Sequence, residues 1–351
     1  MQAVVKTSPY IRKATSTKRM MVDVLIALIP VIAFAIYRFK FDFVLRALLA
    51  SVLAVGLEAL AFGLMKEKNE TWKERFKKYT VNNVVPPIIT ALIFLLTLPS
   101  NISFYVIIIG VVFAILIGKM IYGGLGKNIF NPAGIGRVFV GLTFASFFVY
   151  QGLDDIAGAT ALSTPYADVL KSYSFLDLFL GNVPGSSGEI SALAILIGGA
   201  YLIIRRSADY RVILAGLLSF ALFMCVAGLG LGYGFNETIK YTLFHILSGG
   251  LLFGLVFMAT DPITSPYTRP GRLIFGLIIG LLVAAIRLFG SYPEGMVFAI
   301  VIANAFVPLI DYKKWTTNIY TKKFIIAYSV SIVVLALIVF AGVGGFALWK
   351  I

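Results

Sequence analysis

Thr160 closes the run Asp155-Ile156-Ala157-Gly158-Ala159-Thr160 in a chain that is otherwise mostly apolar. The small residues at 157 to 159 leave its hydroxyl approachable. A threonine that acts as its own nucleophile needs an adjacent base, and no basic or imidazole side chain stands near it in the sequence. The stretch therefore reads as a site that another enzyme reaches and modifies. An ordinary Gly-Ala-Thr turn is the plainer alternative, and no residue of the chain reads as catalytic.

The densest local signal is the loop YGGLGKNIFNPAGIGR, residues 122 to 137. Its glycines permit close backbone approach to a planar or anionic ligand. Asn128 and Asn131 each carry a carboxamide that both donates and accepts, a pairing that suits the edge of an isoalloxazine ring. A Gly/Asn/Pro turn between two helices explains the same residues more simply. Neither Walker nor Rossmann spacing is present.

Acidic groups within apolar spans are costly and point to function. Glu58, in LAVGLEALAF, is the deepest and the best candidate for handling an ion or proton. Asp23 and Asp311 stand near span ends and Asp261 follows a span, where capping or pairing with basic neighbours would account for them equally well. Cys225 and His245 are each the only residue of their kind. One cysteine forms no internal disulfide and does not by itself hold an iron-sulfur cluster, and one histidine makes no bis-histidine haem site. No metal site is expected, and any electron carrier must be organic.

These residues need elements to position them, and the composition specifies which. Of 351 residues 60% are hydrophobic, and the mean hydropathy is +0.94. This is an all-α polytopic membrane protein. Apolar stretches fall at 21–37, 43–65, 84–98, 102–122, 133–150, 190–204, 212–231, 242–259, 273–289, 295–310 and 324–348. Several are at or below the ~17 to 25 residues of a spanning helix. Short or Pro-interrupted spans such as 84–98 survive only where neighbouring protein satisfies the backbone, which implies a cavity.

A net charge of +14 could suggest nucleic acid, but the distribution excludes that reading. Of the 30 Lys and Arg, 23 lie in the N-terminal arm or in the alternate loops 66–80, 119–137, 205–211, 261–272 and 311–323. This positive-inside pattern places the N-terminus in the cytoplasm and the acidic 151–189 loop outside. No cleaved signal peptide is apparent.

The chain also resembles itself. ALIFLLTLP at 91–99 aligns with GLVFMATDP at 254–262, sharing Leu92/Leu255, Phe94/Phe257, Thr97/Thr260 and Pro99/Pro262. NPAGIGRVF around Pro132 aligns more loosely with YPEGMVF around Pro293. With five spans per unit, the second copy enters the membrane from the opposite side. The expected fold is a ten-helix inverted repeat (5+5) plus an extra C-terminal transmembrane helix. The expected divisions are a cytoplasmic arm at 1–20, a first repeat at 21–150, an outer loop at 151–189, a second repeat at 190–312, and a cytoplasmic loop with the last helix at 313–351.

SPYIR at 8–12, NNVV at 82–85, YGGLGKNIFNPAGIGRVF at 122–139, SGGLLFGLVFMATDPITSP at 248–266, GRLIFGLIIGLL at 271–282 and YPEGMVFAIVIANAFVPLIDY at 292–312 carry a wider resemblance. Together they resemble the D subunit of Rnf electron-transport complexes, and less fully the B subunit of sodium-pumping NADH:quinone oxidoreductases, which has a longer N-terminal region. The resemblance implies two flavins: FMN esterified through its phosphate to Thr160, and riboflavin held without a covalent bond near Asn128 and Asn131. The family's attachment run ends Ser-Gly-Ala-Thr, and Ala157 stands here in place of the serine. The resemblance also maps ion-uptake acids onto Glu58, Asp261 and Asp311. It implies Rnf subunits A, B, C, E and G as partners, a flavin transferase for maturation, and a place in the lipid of the prokaryotic cytoplasmic (inner) membrane.

The expected function is electron relay through these flavins, coupling ferredoxin:NAD+ oxidoreduction to Na+ or H+ movement. A quinone-linked relative and a flavin-free secondary transporter are the alternatives.

Overall fold

The computed structural model describes residues 17–65, 70–148, 150–151, 157–158, 162, 166–290, 294–312 and 317–349. Its first element, α1 (Thr17–Leu64), has 48 residues. A straight helix of that length would measure about 72 Å, more than twice the ~30 Å bilayer core. The backbone breaks instead at Lys40, where φ is 54° and ψ −139°. Two helical arms, 17–39 and 41–64, therefore meet at a corner. That corner is held by Arg38 Nη1 donating to Gly181 O at 3.3 Å and Arg46 Nε donating to Ile102 O at 3.0 Å.

The short amphipathic α2 (Trp72–Lys77) and α3 (Val81–Leu96) follow. Then come α4 (Phe104–Val112), which continues as a π-helical segment over Phe113–Ile117, and α5 (Pro132–Thr143). The apolar stretch at 133–150 predicts a longer fifth helix. Phe144 leaves helical geometry at φ −120°, ψ 35°, and packs with Phe147 edge-on to Tyr105, at centroid distances of 5.9 and 5.6 Å. Beyond it, β1 (Tyr150–Gln151) pairs antiparallel with β2 (Ala157–Gly158). Two short helices, α6 (Tyr166–Ser172) and α7 (Phe175–Leu180), complete the segment that joins the two halves.

The second half comprises α8 (Ala192–Ile204), α9 (Tyr210–Gly230), α10 (Phe235–Leu247), α11 (Leu251–Phe253) with its π-helical continuation Gly254–Met258, α12 (Arg269–Phe289) and α13 (Met296–Ile310). The final helix is α14 (Lys322–Trp349). Among the described residues, five helices are long and apolar enough to cross a membrane. The pair of α10 with the segment Leu251–Met258, bent by 59°, makes a sixth where the two are counted as one broken span. The all-α polytopic class expected from composition is the class observed.

Several features recur between the halves at opposite ends of the molecule. The α8–α9 turn is made by Arg206 at φ 59°, the other described non-glycine residue with positive φ besides Lys40. Arg206 lies near the end where Arg205 and Ser207 reach Asp23, whereas Lys40 marks the other end. Thr97 and Thr260, equivalent in the sequence alignment, each turn the hydroxyl back onto their own helix, donating to Phe94 O at 2.7 Å and Val256 O at 2.6 Å. Residues beside Pro99 meet the 186–188 segment, with Ser187 N donating to Leu98 O at 3.0 Å and Gly188 N to Leu96 O at 2.8 Å. Pro262 instead faces a cavity shared with Met20 and Ser207.

α8 packs on α1 and α13 on α5, joining the halves first to first and last to last. Gly198 of α8 lies directly against the Ala27 carbonyl, where any Cβ would collide. Short α3, α8 and α13 leave buried non-helical backbone, and the 186–188 pairing with Leu96 and Leu98 satisfies part of it.

Candidate functional site

A cleft of about 740 Å³, counting space continuous with solvent, lies where the two halves meet. Its apolar wall includes Ile89 and Ile93 of α3 and Val256 and Phe257 of the second π-helical segment. Its polar lining includes Lys119, Asn128, Asn131, Thr260 and Asp261. Three of the residues singled out in the sequence therefore share one cavity, and Glu58 touches a fourth member of its wall.

The Gly-rich loop shapes one side. Gly123, Gly124 and Gly126 have φ of 102°, 91° and 88°, a left-handed region that residues with a Cβ avoid. Asn131 then caps α5: its Oδ1 accepts from Gly134 N at 3.2 Å, with Pro132 at the first helical turn. Its Nδ2 donates to Met258 O at 3.3 Å, and its backbone N–H donates to Asn304 Oδ1 at 3.0 Å. The Asn131 amide is thus spent on holding the wall. Asn128 differs. Its Nδ2 donates to Phe130 O at 3.1 Å, but its buried Oδ1 has no partner. Asn128 lines the cleft, and its oxygen is a buried acceptor that the surrounding helices leave without a partner.

Glu58 is buried on the second arm of α1, and Lys119 Nζ donates to its Oε2 at 2.6 Å. Lys119 follows the first π-helical segment and is only 1% exposed. Sequence reasoning counted it as a loop cation, because nothing local distinguishes a lysine at a span end from one drawn inward by an acid 61 residues earlier.

The other acids are engaged structurally. Asp23 accepts from Tyr201, Arg205 and Ser207, at 3.2, 3.2 and 2.5 Å. Asp261 holds the turn after the π-helical segment, accepting from Ile263 N at 3.3 Å and Thr264 Oγ1 at 3.0 Å. Asp311 lies away from the cleft and anchors the start of α12, accepting from Tyr267 N at 2.8 Å and Thr268 Oγ1 at 2.5 Å. Asp209 joins the same end through Arg211 and Arg272.

A second polar cluster occupies the opposite end. Arg287 donates to His245 O at 2.5 Å and Ser248 O at 3.2 Å, satisfying carbonyls that the α10–α11 break releases. Glu189, Ser248 and Glu294 border a smaller cavity with Leu162. Buried Glu189 Oε2, Glu294 Oε1, Ser186 Oγ and Ser248 Oγ make no hydrogen bond of good geometry. Burial and the adjacent Glu294 carboxylate push Glu189, in the loop before α8, well above the usual carboxylate range. Thr160 and Asp155 lie outside the described residues.

The sequence matches the NQR2, RnfD, RnfE family over residues 4–319. The chain belongs to this family. Similar members include the D subunit of the Na(+)-translocating ferredoxin:NAD(+) oxidoreductase complex of Acetobacterium woodii, 34% identical over 88% of this chain and 92% of the relative. The D subunit of the ion-translocating oxidoreductase complex of Escherichia coli O157:H7 is 33% identical over 88% of this chain and 96% of the relative. The B subunit of the Na(+)-translocating NADH-quinone reductase of Pseudomonas aeruginosa is 32% identical, but the match spans 66% of this chain and 60% of that relative. Within the family's matched region lie both polar clusters and the cleft. Lys119, Asn304, Glu189, Arg287 and Glu294 were not distinguished by type or spacing in the sequence, since each gains its meaning from a partner on another helix.

Proposed function

We propose that this chain is the membrane subunit of an Rnf-type, ion-translocating ferredoxin:NAD+ oxidoreductase, relaying electrons between two flavins. The observation that carries the reading is the cleft, which Asn128, with its unpartnered Oδ1, and Lys119 line beside a largely apolar wall. Those residues fit riboflavin, whose ring has an apolar body and a polar edge. Flavin supplies one- or two-electron chemistry when bound. The chain's own part is to seat the ring between α3 and the second π-helical segment, keep water from it, and fix its polar edge. Asn131 contributes by holding the loop that carries Asn128.

FMN attached to Thr160 through its phosphate would occupy the opposite face, on the outer loop. A separate transferase forms that bond, since no base stands beside the threonine in the sequence. Glu58, Asp261 and Asp311 are the candidates for coupling to Na+ or H+. The partners are Rnf subunits A, B, C, E and G, in a prokaryotic cytoplasmic membrane with the N-terminus inside. Near-complete coverage of two D subunits, against 60% of a B subunit, favours this reading over the quinone-linked one.

The test is an absorption spectrum and flavin fluorescence on a denaturing gel, with the chain expressed beside a flavin transferase. The wild-type band should fluoresce, and Thr160→Val, which removes only the acceptor oxygen, should abolish the band without preventing folding. A colourless protein would indicate a flavin-free transporter, and a fluorescent Thr160→Val band would place the attachment elsewhere.

A further inference from the structure

Glu189, in the loop before α8, and Glu294, before α13, bring two carboxylates to the break between α10 and α11. Two glycines make the room. A Cβ on Gly250 would collide with Glu189 Oε1, and one on Gly249, at φ 72°, would fall 3.4 Å from Glu294 Oε1 and 3.2 Å from Arg287 Nη2. Both acids line a cavity of about 300 Å³, counting space continuous with solvent, with apolar walls that include Leu162 and Leu247. Glu189 is only 6% exposed. Glu189 Oε2 and Glu294 Oε1 are buried without a hydrogen-bond partner, and the hydroxyl of Ser248, 2% exposed on the same wall, has none either.

Cations stand nearby, but their donors are committed elsewhere. Arg287 donates to His245 O and Ser248 O. Arg137 donates to Thr97 O at 2.9 Å and lays its guanidinium over the Phe148 ring. Tyr241 and His245 of α10 complete the titratable groups around Arg287. Two adjacent buried carboxylates do not both stay charged unless a positive charge lies between them. A helix break in a membrane protein is also where ion sites form, because unwound backbone and buried acids meet there.

We propose that Glu189 and Glu294 hold a single exchangeable monovalent cation, a proton or Na+, between their buried oxygens beside Ser248. Either guest supplies what the pair lacks. A proton bridges the two carboxylates, whereas Na+ draws oxygen ligands from both and from the Ser248 hydroxyl. Glu294 is the less buried acid and gives the ion its way in. The site shares no lining residue with the cleft and needs no flavin.

The test uses the purified full chain in sodium-free detergent buffer, followed by infrared spectroscopy during a pH titration. Near pH 7, where a glutamate with the ordinary pKa of about 4.3 is ionised, the wild type should show the carbonyl stretch of a protonated carboxylic acid. Glu189→Gln should lose that band. Glu294→Gln removes the like charge and offers an amide donor, so Glu189 should hold its proton at least about tenfold more weakly, one pKa unit. Na+ that displaces the wild-type band, where K+ does not, identifies Na+ as a guest; a band indifferent to Na+ identifies the proton alone. A spectrum unchanged by Glu189→Gln overturns the proposal, because both carboxylates are then ionised against Arg137 and Arg287. A midpoint unchanged by Glu294→Gln also overturns it, because Glu189 then binds its proton alone. Both variants keep the side-chain shape, thermal denaturation checks their folding, and a colourless protein leaves the readout intact.

Discussion

The backbone N–H of Asn131 donates to Asn304 Oδ1 at 3.0 Å across 173 residues of sequence, while Asn304 Nδ2 donates to Thr264 O, also at 3.0 Å. One buried carboxamide on α13 thereby ties the start of α5 to the turn after the second π-helical segment, and both are walls of the cleft. Asn304→Leu should leave two buried backbone groups without partners, each costing about 1 to 3 kcal/mol. The expected result is a lower thermal denaturation midpoint in detergent together with weaker retention of riboflavin. A variant with wild-type stability would show that water replaces the amide.

Glu58 and Lys119 should depend on each other. Removing one partner of a buried pair costs ~3 to 5 kcal/mol, whereas replacing both is far milder. Glu58→Ala and Lys119→Ala should each be less stable than Glu58→Gln/Lys119→Gln, and a denaturation series of the four proteins measures the difference. Glu58→Gln in membranes carrying the full complex should also slow electron transfer or shift its dependence on sodium or pH. Unchanged rates and ion dependence would leave Glu58 a structural role.

Stability should respond to pH through Glu189. The groups facing it are Glu294 before α13, Arg137 of α5 and Arg287 of α12. Because its pKa is raised by burial and by Glu294, the folded chain binds that proton more tightly than the unfolded chain does. Its contribution is full below the ordinary glutamate pKa of about 4.3 and is lost as pH climbs toward the raised folded value. Glu189→Gln should flatten the decline of thermal stability over that window. An identical pH profile would mean that Arg137 and Arg287 already hold the carboxylate ionised.

Orientation is open to labelling in whole cells on a Cys225→Ala background. Lys73→Cys and Ser172→Cys place single thiols at exposed positions on α2 and α6. An impermeant reagent should label position 172 and spare position 73. The reverse pattern would invert the topology inferred from the basic residues.

Much of the architecture is legible in the sequence because it depends on local composition. Apolar runs must become helices in a bilayer, where every backbone group needs an internal partner. The Asn-Pro-Ala-Gly and Thr-Arg-Pro-Gly runs carry their own helix starts, as the caps at Asn131 and Thr268 show. The matched Thr97 and Thr260 likewise fold back on their own helices. Distance along the chain hides the rest. Nothing near Lys119 foretells Glu58 as its partner, and nothing near Asn131 foretells Asn304. Asn128 and Asn131 look equivalent as a sequence pair, yet packing spends the Asn131 amide on Gly134 and Met258 and leaves the Asn128 oxygen without a partner. The sequence determined which segments form apolar helices and where their ends carry charge. Which polar atoms were left open inside was decided only when packing brought together helices far apart in the chain, because a buried group's partner is fixed by tertiary contact and not by its neighbours in sequence.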